Sequence, residues 1–376
     1  MSKKNVIIIM IDGGRLDRAL TSPIFNKLKT KSVFFPQTIT YGPHTIAAMH
    51  AVFSGSYGTR TGTNSYWSTF KFKKDKFKTL IEYLHDANYY TYADIINELV
   101  VPKQGFDKFI IHDELKDNLT TRHIELLKKI PSLSKDKKNF FLYLHYSNIH
   151  TGIMNQVLKI YNNFSKEFFE NKEQNVKRYD LLFHDAEKYL DAILEEISNL
   201  SFDKNSIILV MSDHGISIGE KIGERAYGAF CYDYTLKTFS YFLAPDFTPK
   251  EIRQQVRTVD LMPTILDYLK ISFDEDYEKL DGVSLMPLIN GEELSESMAF
   301  SETGNPLDKK EPPKEPNTKS IRTSQWKLIY NEHNGLKELY NLELDPDEES
   351  NLIGKGEKIE EILWKKLQNI LNTNSQ

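Results

Sequence analysis

Three short polar clusters, each directly following an apolar run, carry the groups that could hold a cation and attack an ester. Val6-Ile-Ile-Ile-Met-Ile11 leads into Asp12-Gly13-Gly14-Arg15, Phe140-Phe-Leu-Tyr-Leu144 into His145-Tyr-Ser-Asn-Ile-His150, and Ile207-Ile-Leu-Val-Met211 into Ser212-Asp213-His214-Gly215. Asp12, Asp213 and His214 make a hard, mixed oxygen and nitrogen donor set suited to Zn, Mn or Mg, and the adjacent Asp-His pair can meet one ion if the chain turns sharply at Gly215. A lone Asp after a strand is ordinary turn chemistry. Two such strand ends in one sheet make a metal centre the stronger reading. A nucleophile is placed by Pro43-His44-Thr45, which precedes the helical stretch Ile46-Ala-Ala-Met-His-Ala-Val-Phe53 and its stop at Ser54-Gly55. Thr45 is expected at the helix N-terminus, where free N–H groups and the dipole favour an alkoxide or a bound oxyanion. A threonine there can equally be a simple N-cap.

The elements that must position these groups follow from the pattern. The three apolar runs read as buried parallel strands, and Leu190, Ile193, Leu194 and Ile197 at helical spacing, like Leu80, Ile81 and Leu84, read as crossover helices. An α/β sandwich with ligands outside the carboxyl ends of the strands is expected. Residues 1–303 are assigned to the catalytic part. Residues 304–319, with four prolines and four lysines, read as a linker or mobile loop, and 320–376 as a C-terminal subdomain. There, Trp326–Tyr330 and Leu336–Tyr340 read as strands around Asn334-Gly335, closed by a helix from about Lys358. The chain has 376 residues and a formal charge of −5, with 48 Lys plus Arg against 53 Asp plus Glu, so no global basic excess points to nucleic acid. Its longest wholly apolar run is far below the roughly 20 residues of a bilayer span. No leader pattern follows Lys3 and Lys4, so a soluble, cytoplasmic protein is expected. A single cysteine, Cys231, leaves any metal to oxygen and nitrogen ligands.

In this order the segments resemble the sulfatase and alkaline-phosphatase superfamily over nearly the whole chain. Asn5–Asp12 with Arg15 and Asp17 is similar to its opening strand and metal loop. Thr45 stands ten residues before Gly55, as the family nucleophile does before its Ser/Thr-Gly, and Gly58-Thr-Arg-Thr-Gly62 follows as the usual turn. Phe141–His150 resembles the strand with the substrate-facing His, and Met211–Gly215 with Gly219-Glu220 the second metal segment. Val259–Thr264, Asp281–Leu285, Ile321-Arg-Thr and Leu339–Pro346 resemble later landmarks. The resemblance implies an alkaline-phosphatase-like sandwich: a large, mostly parallel central sheet flanked by helices, plus a small C-terminal antiparallel sheet and helix.

The departures from the family pattern shape the expected chemistry. Strict sulfatases place Cys or Ser at the nucleophile, with Pro or Ala two residues later and Arg four later, for conversion to formylglycine. Here these positions are Thr45, Ala47 and Met49. Threonine cannot become that aldehyde, so Thr45 is expected to attack directly, as in the superfamily's phosphodiesterases, phosphoglycerol transferases and phosphopentomutases. Two-metal members carry Asp-x-x-x-His, whereas Tyr146 stands four residues before His150, so one divalent ion (Mn, Zn, Mg or Ca) is expected, held by Asp12, Thr45, Asp213 and His214. Gly13 replaces a further carboxylate ligand of many sulfatases. Arg225, twelve residues after Asp213, falls where members bind the anion through a Lys, and with His150 and Thr45 completes the expected catalytic set. Arg15, Asn64, His145 and Lys221 are the expected substrate-binding residues; Tyr66 and Trp67 follow Asn64, and His145 can equally be a core histidine. The run Lys71–Lys78 reads as a solvated loop. The expected reaction is phosphoester cleavage, of a phosphodiester before a monoester, through a Thr45 phospho-enzyme. The alternatives are a sulfate-ester hydrolase without formylglycine and a non-catalytic member that binds an anion or glycan. The expected partner is a small-molecule or glycan ester, with no nucleic acid and no membrane span.

Overall fold

Strand β1 (Asn5–Ile11) lies between its two parallel neighbours, β5 (Asn139–Tyr146) and β6 (Ser206–Ser212), in register that sets Ile11 opposite both Tyr146 and Ser212. The three polar clusters therefore leave the sheet side by side at one edge. The computed structural model describes residues 4–65, 68–137, 139–153, 171–221, 230–303, 317–332 and 334–373. The remaining strands of this sheet are β2 (Val33–Ile39), β3 (Tyr89–Ile95), β4 (Lys108–Ile111), β7 (Lys237–Leu243), β8 (Lys250–Glu251) and β9 (Val256–Arg257). Their order is β4-β3-β5-β1-β6-β7-β2-β8, with β9 also paired to β2, and β7 runs antiparallel to both β6 and β2. The sheet is thus the large, mostly parallel one that the resemblance implies.

Both faces are covered. Ile7, Ile9 and Ile11 pack into one core with helices Leu16–Thr21, Pro23–Lys29, Leu119–Leu133 and Lys172–Asn199. Val6, Ile8 and Met10 pack into another with Thr45–Ser54, Leu80–Asp86, Leu261–Tyr268 and Met286–Asn290. Burial on both sides is why β1, β5 and β6 read as unbroken apolar runs. The sequence reading did not mark β2, β3 or β7. Their runs carry Pro36, Asp94 or Lys237 and mix Thr and Tyr with the aliphatics, and β7 joins the sheet antiparallel.

The second sheet is antiparallel, in the order β10 (Ala299–Glu302), β11 (Thr318–Arg322), β12 (Trp326–Asn331) and β13 (Lys337–Asn341), with helix Lys358–Thr373 against it. It begins at Ala299, inside the stretch assigned above to the catalytic part. Residues 304–316 of the expected linker lie outside the described residues. Phe300, Ile321, Leu328 and Leu339 share a core with Leu363 and Leu367 of the closing helix and with Ala47 and Ala51. Helix Thr45–Ser54 is consequently buried all round: Ile46, Met49, Val52 and Phe53 face the central sheet, and the two alanines face the C-terminal one. Buried charges join the two sheets: Lys327 Nζ sits 2.9 Å from Asp233 Oδ1 and 2.8 Å from Glu348 Oε1, and Arg322 Nη2 lies 2.8 Å from Asp233 Oδ2.

The same burial makes this helix sensitive to acid. His50 Nε2–H donates to the Leu99 carbonyl at 3.2 Å, and burial pushes the imidazole from 6.5 down to about 4. The unfolded chain then binds the proton more readily, so this contribution to stability is complete above about pH 6.5 and is lost as the pH falls toward 4. From pH 7 to pH 5 the loss is about 2 kcal/mol. His50→Gln, which keeps a donor, is expected to flatten the pH dependence of urea unfolding by that amount; a slope equal to wild type would assign the acid sensitivity elsewhere.

Candidate functional site

At the shared strand edge, Asp12 follows β1, Asp213 and His214 follow β6, and Thr45 opens its helix. Thr45 Oγ1 donates to Asp12 Oδ2 at 3.3 Å and lies 3.3 Å from His214 Nε2. Ligand atoms of Asp12, Asp213 and His214 all lie within 4.8 Å of one another, and all three residues are buried. The N-cap is His44 rather than Thr45: Ala47 N–H donates to His44 Nδ1 at 3.4 Å, and the other ring nitrogen meets the Thr303 carbonyl at 3.2 Å. With capping done by the preceding residue, the Thr45 hydroxyl is left to the carboxylates. Nothing in Pro43-His44-Thr45 tells which of the last two residues caps.

The turns are fixed by close contacts at two glycines. Gly13 has φ +72°, and a Cβ there would come 2.5 Å from Ile216 Cδ1. Its N–H donates to Asp213 Oδ1 at 3.2 Å, and His214 N–H donates to the same oxygen at 2.9 Å. His214 Nδ1–H donates to the Gly215 carbonyl at 2.7 Å, which turns the Nε2 lone pair inward. Gly215 is needed because a Cβ would meet the Tyr234 carbonyl oxygen at 2.1 Å.

What the donor set lacks is a counter-charge. Asp12 Oδ1 and Asp213 Oδ2 are buried and have no hydrogen-bond partner, while His214 Nε2 stands 3.7 Å from the first and 3.4 Å from the second. Buried carboxylate oxygens without donors are costly and call for a cation. Two carboxylates, one imidazole and one hydroxyl fit a divalent ion, so these residues suit the metal that the resemblance implies. Burial raises Asp213, and the charge on Asp12 adds to it. For Asp12, burial acts upward too, but it is outweighed by the imidazoles of His150, His145 and His214, which hold it well below the ordinary carboxylate range.

The other expected site residues divide. His145, fully buried, sits with Nε2 3.0 Å from Asp12 Oδ2, and burial lowers its pKa. All eight residues of β5 are buried, so alternation along the strand could not show that this ring faces Asp12. His150 Nδ1 lies 3.7 Å from Asp12 Oδ1, and the side chain is 28% exposed, so it stands at the open side of the cluster. Arg15 turns away: its guanidinium pairs with Asp17 at 2.9 Å and Glu220 at 2.5 Å and donates to the Ile216 carbonyl. Lys221 Nζ donates to the Glu348 carbonyl and lies over the Tyr232 ring. These two line a neighbouring cavity of about 380 Å³ that also takes in Lys172 and Asp233. Among the described contacts Asn64 reaches Ser68 Oγ, at 3.4 Å, and not the cluster. Arg225, Tyr66 and Trp67 lie outside the described residues.

The fold, a large mostly parallel sheet joined to a small antiparallel one, is a sulfatase fold. The sulfatase profile matches residues 4–271, and the N-sulphoglucosamine sulphohydrolase C-terminal profile matches residues 229–375. The chain belongs to the sulfatase family. It is 27% identical to a choline-sulfatase of Rhizobium meliloti over 194 residues, 49% of this chain and 35% of that protein. It is likewise 27% identical to mouse (Mus musculus) arylsulfatase K over 217 residues, 56% of this chain and 38% of that protein. The matches thus span little more than a third of these relatives' length. Two solved structures share the fold: a 2-O GAG sulfatase (TM-score 0.78, 17% identity, 100% of this chain and 93% of that one), and a phosphonate monoester hydrolase from Silicibacter pomeroyi (TM-score 0.72, 15% identity, 99% and 95%).

A metal requirement predicts an unusual stability pattern. Asp213→Asn keeps the oxygen that accepts from Gly13 and His214 but removes one of two converging buried charges. It should bind one equivalent less of divalent metal. With metal stripped from both proteins, it should be more stable than wild type by about 1–3 kcal/mol. Unchanged metal content by elemental analysis, or a stripped variant markedly less stable in urea, would contradict this account.

Proposed function

We propose that the protein hydrolyses a monoanionic sulfate ester through unmodified Thr45. The observation that carries this is the Thr45 hydroxyl held 3.3 Å from both Asp12 and His214, in a chain whose matched relatives are a choline-sulfatase and arylsulfatases. Asp12, Thr45, Asp213 and His214 would hold a divalent ion, which when bound supplies Lewis-acid stabilisation of the ester oxygens. Asp12 Oδ2 accepts the hydrogen bond of the Thr45 hydroxyl and orients it; it takes the proton as the bond to sulfur forms and returns it to Thr45 when water releases sulfate. Thr45 Oγ1 forms the bond to sulfur as the bond from sulfur to the alcohol oxygen breaks. His150, on the open side, delivers a proton to the departing oxygen. Water then cleaves the threonine ester. His145, locked to Asp12, keeps that carboxylate in place.

Charge selects the substrate class. One divalent ion on two carboxylates is neutral overall, which suits a singly charged ester better than a dianionic phosphomonoester. A phosphodiester carries the same single charge and is the second reading. It is favoured by Thr45 followed by Ala47 and Met49, which closes the formylglycine route by which sulfatases release sulfate.

Turnover of an aryl sulfate, an aryl phosphodiester and an aryl phosphomonoester, each with Zn, Mn and Mg, tests both readings. Metal-dependent turnover led by the sulfate is expected, with Thr45→Ala down by about 10³-fold or more and Thr45→Ser within about tenfold of wild type. A lead by the phosphodiester establishes the second reading; a fully active Thr45→Ala overturns both.

A further inference from the structure

A second group of buried ligand-type side chains lies behind His145. Asp94 is next to last in β3, His112 directly follows β4, and His123 sits in helix Leu119–Leu133; the His112 ring is 6.0 Å from that of His145. All three residues are buried, and their inner atoms converge: Asp94 Oδ1 lies 2.7 Å from His112 Nδ1 and 3.6 Å from His123 Nε2. Each outer atom has its own partner. Arg122 Nε donates to Asp94 Oδ2 at 2.6 Å, His112 Nε2 meets Ser147 Oγ at 2.9 Å, and His123 Nδ1 meets Tyr189 Oη at 2.7 Å. Arg122 is itself balanced by Asp117 at 3.2 Å.

We propose that Asp94, His112 and His123 form a second divalent-cation site, structural in role and taking a borderline transition ion such as zinc. Metal ligands are oriented by hydrogen bonds on the side away from the ion, and here every outer atom is so held. The inner side is incomplete without a cation: His123 Nε2 is fully buried without a hydrogen-bond partner, and 3.6 Å to Asp94 is too long for a proton to bridge. Two imidazoles and a carboxylate are a common zinc donor set, with water left to complete a tetrahedron. Tetrahedral bonds of about 2.0 Å set ligand atoms ~3.3 Å apart, so the ion must open the Asp94–His112 contact by some tenths of an ångström and close the His123 one by less. It would tie β3, the end of β4 and helix Leu119–Leu133 to Ser147, beyond β5, and to Tyr189 of the long helix. This site draws on elements other than those of the Thr45 centre and is independent of which ester is cleaved.

The test is zinc stoichiometry of the full chain, stripped, reloaded and freed of excess ion, in wild type, Asp213→Asn, His123→Phe and the double variant. Two equivalents, one, one and none are expected, and cobalt loaded into Asp213→Asn should give a visible absorption band that the double variant lacks. One equivalent in wild type that persists in Asp213→Asn and vanishes in His123→Phe would still support this site while removing the first. One equivalent that persists in His123→Phe, or none in wild type, overturns the proposal and leaves a hydrogen-bonded triad. If His123→Phe does not fold, zinc anomalous scattering from wild-type crystals decides: a peak among Asp94, His112 and His123 supports the site, and its absence there overturns it.

Discussion

Two carboxylates, Asp12 and Asp213, converge while buried at the ends of neighbouring strands, and the rest of the centre is arranged around their repulsion. The register of β1 with β6 leaves no freedom, because Ile11 opposite Ser212 brings the next residues of both strands out together. One oxygen of each carboxylate is held by protein donors: Asp213 Oδ1 by two backbone N–H groups, Asp12 Oδ2 by His145 and Thr45. The other oxygen of each is left facing the gap. Such an arrangement calls for a counter-ion, and a divalent ion held there would also meet the Thr45 hydroxyl, which lies 3.3 Å from Asp12 Oδ2.

What the sequence shows of this depends on whether a residue's environment is local. The runs Val6–Ile11, Phe140–Leu144 and Ile207–Met211 are legible because two-sided burial removes alternation, and each ends where its polar cluster starts. The helix after Thr45 is legible from its Ser-Gly stop, and Gly55 does take the left-handed conformation. The hairpin before the closing helix is legible from Asn334-Gly335. β3 is not, since Tyr and Thr alternate up to a buried Asp94 whose partners come from a strand end and a helix further along the chain. His145 is hidden for the opposite reason: a strand buried on both faces gives no sign of which side meets Asp12. Arg15 and Lys221 looked like anion binders by position alone, and their acidic or carbonyl partners could not be read from spacing.

Holding the Thr45 hydroxyl in place requires more than a helix start. Helix Thr45–Ser54 is wedged between the two sheets, with small Ala47 and Ala51 against the C-terminal core, and His44 caps it while touching Thr303, just past β10. The C-terminal sheet thereby helps to hold Thr45 in place, although among the described residues it contributes none that converge on Asp12. The charges Asp233, Arg322, Lys327 and Glu348 anchor that sheet to the chain entering β7. A group of this kind is costly to break, since loss of either partner strands a buried charge, so the two sheets are locked in one arrangement.

Charge also sets what the Thr45 centre can accept. Its two carboxylates would cancel one divalent ion, and Arg15 and Lys221 are already engaged: Arg15 by Asp17 and Glu220, Lys221 by the Glu348 carbonyl. His150 stands at the open side, its Nδ1 3.7 Å from Asp12 Oδ1. A doubly charged phosphomonoester would bring an excess negative charge with little to offset it, whereas a sulfate monoester or a phosphodiester would not. A divalent cation at Asp94, His112 and His123 would turn the net charge of Asp94, Arg122 and Asp117 from −1 to +1, with His145 standing between that group and Asp12. On the proposed mechanism, discrimination between a sulfur and a phosphorus ester would fall to the pocket walls and to how readily water cleaves an ester on Thr45, rather than to the charge of the centre itself.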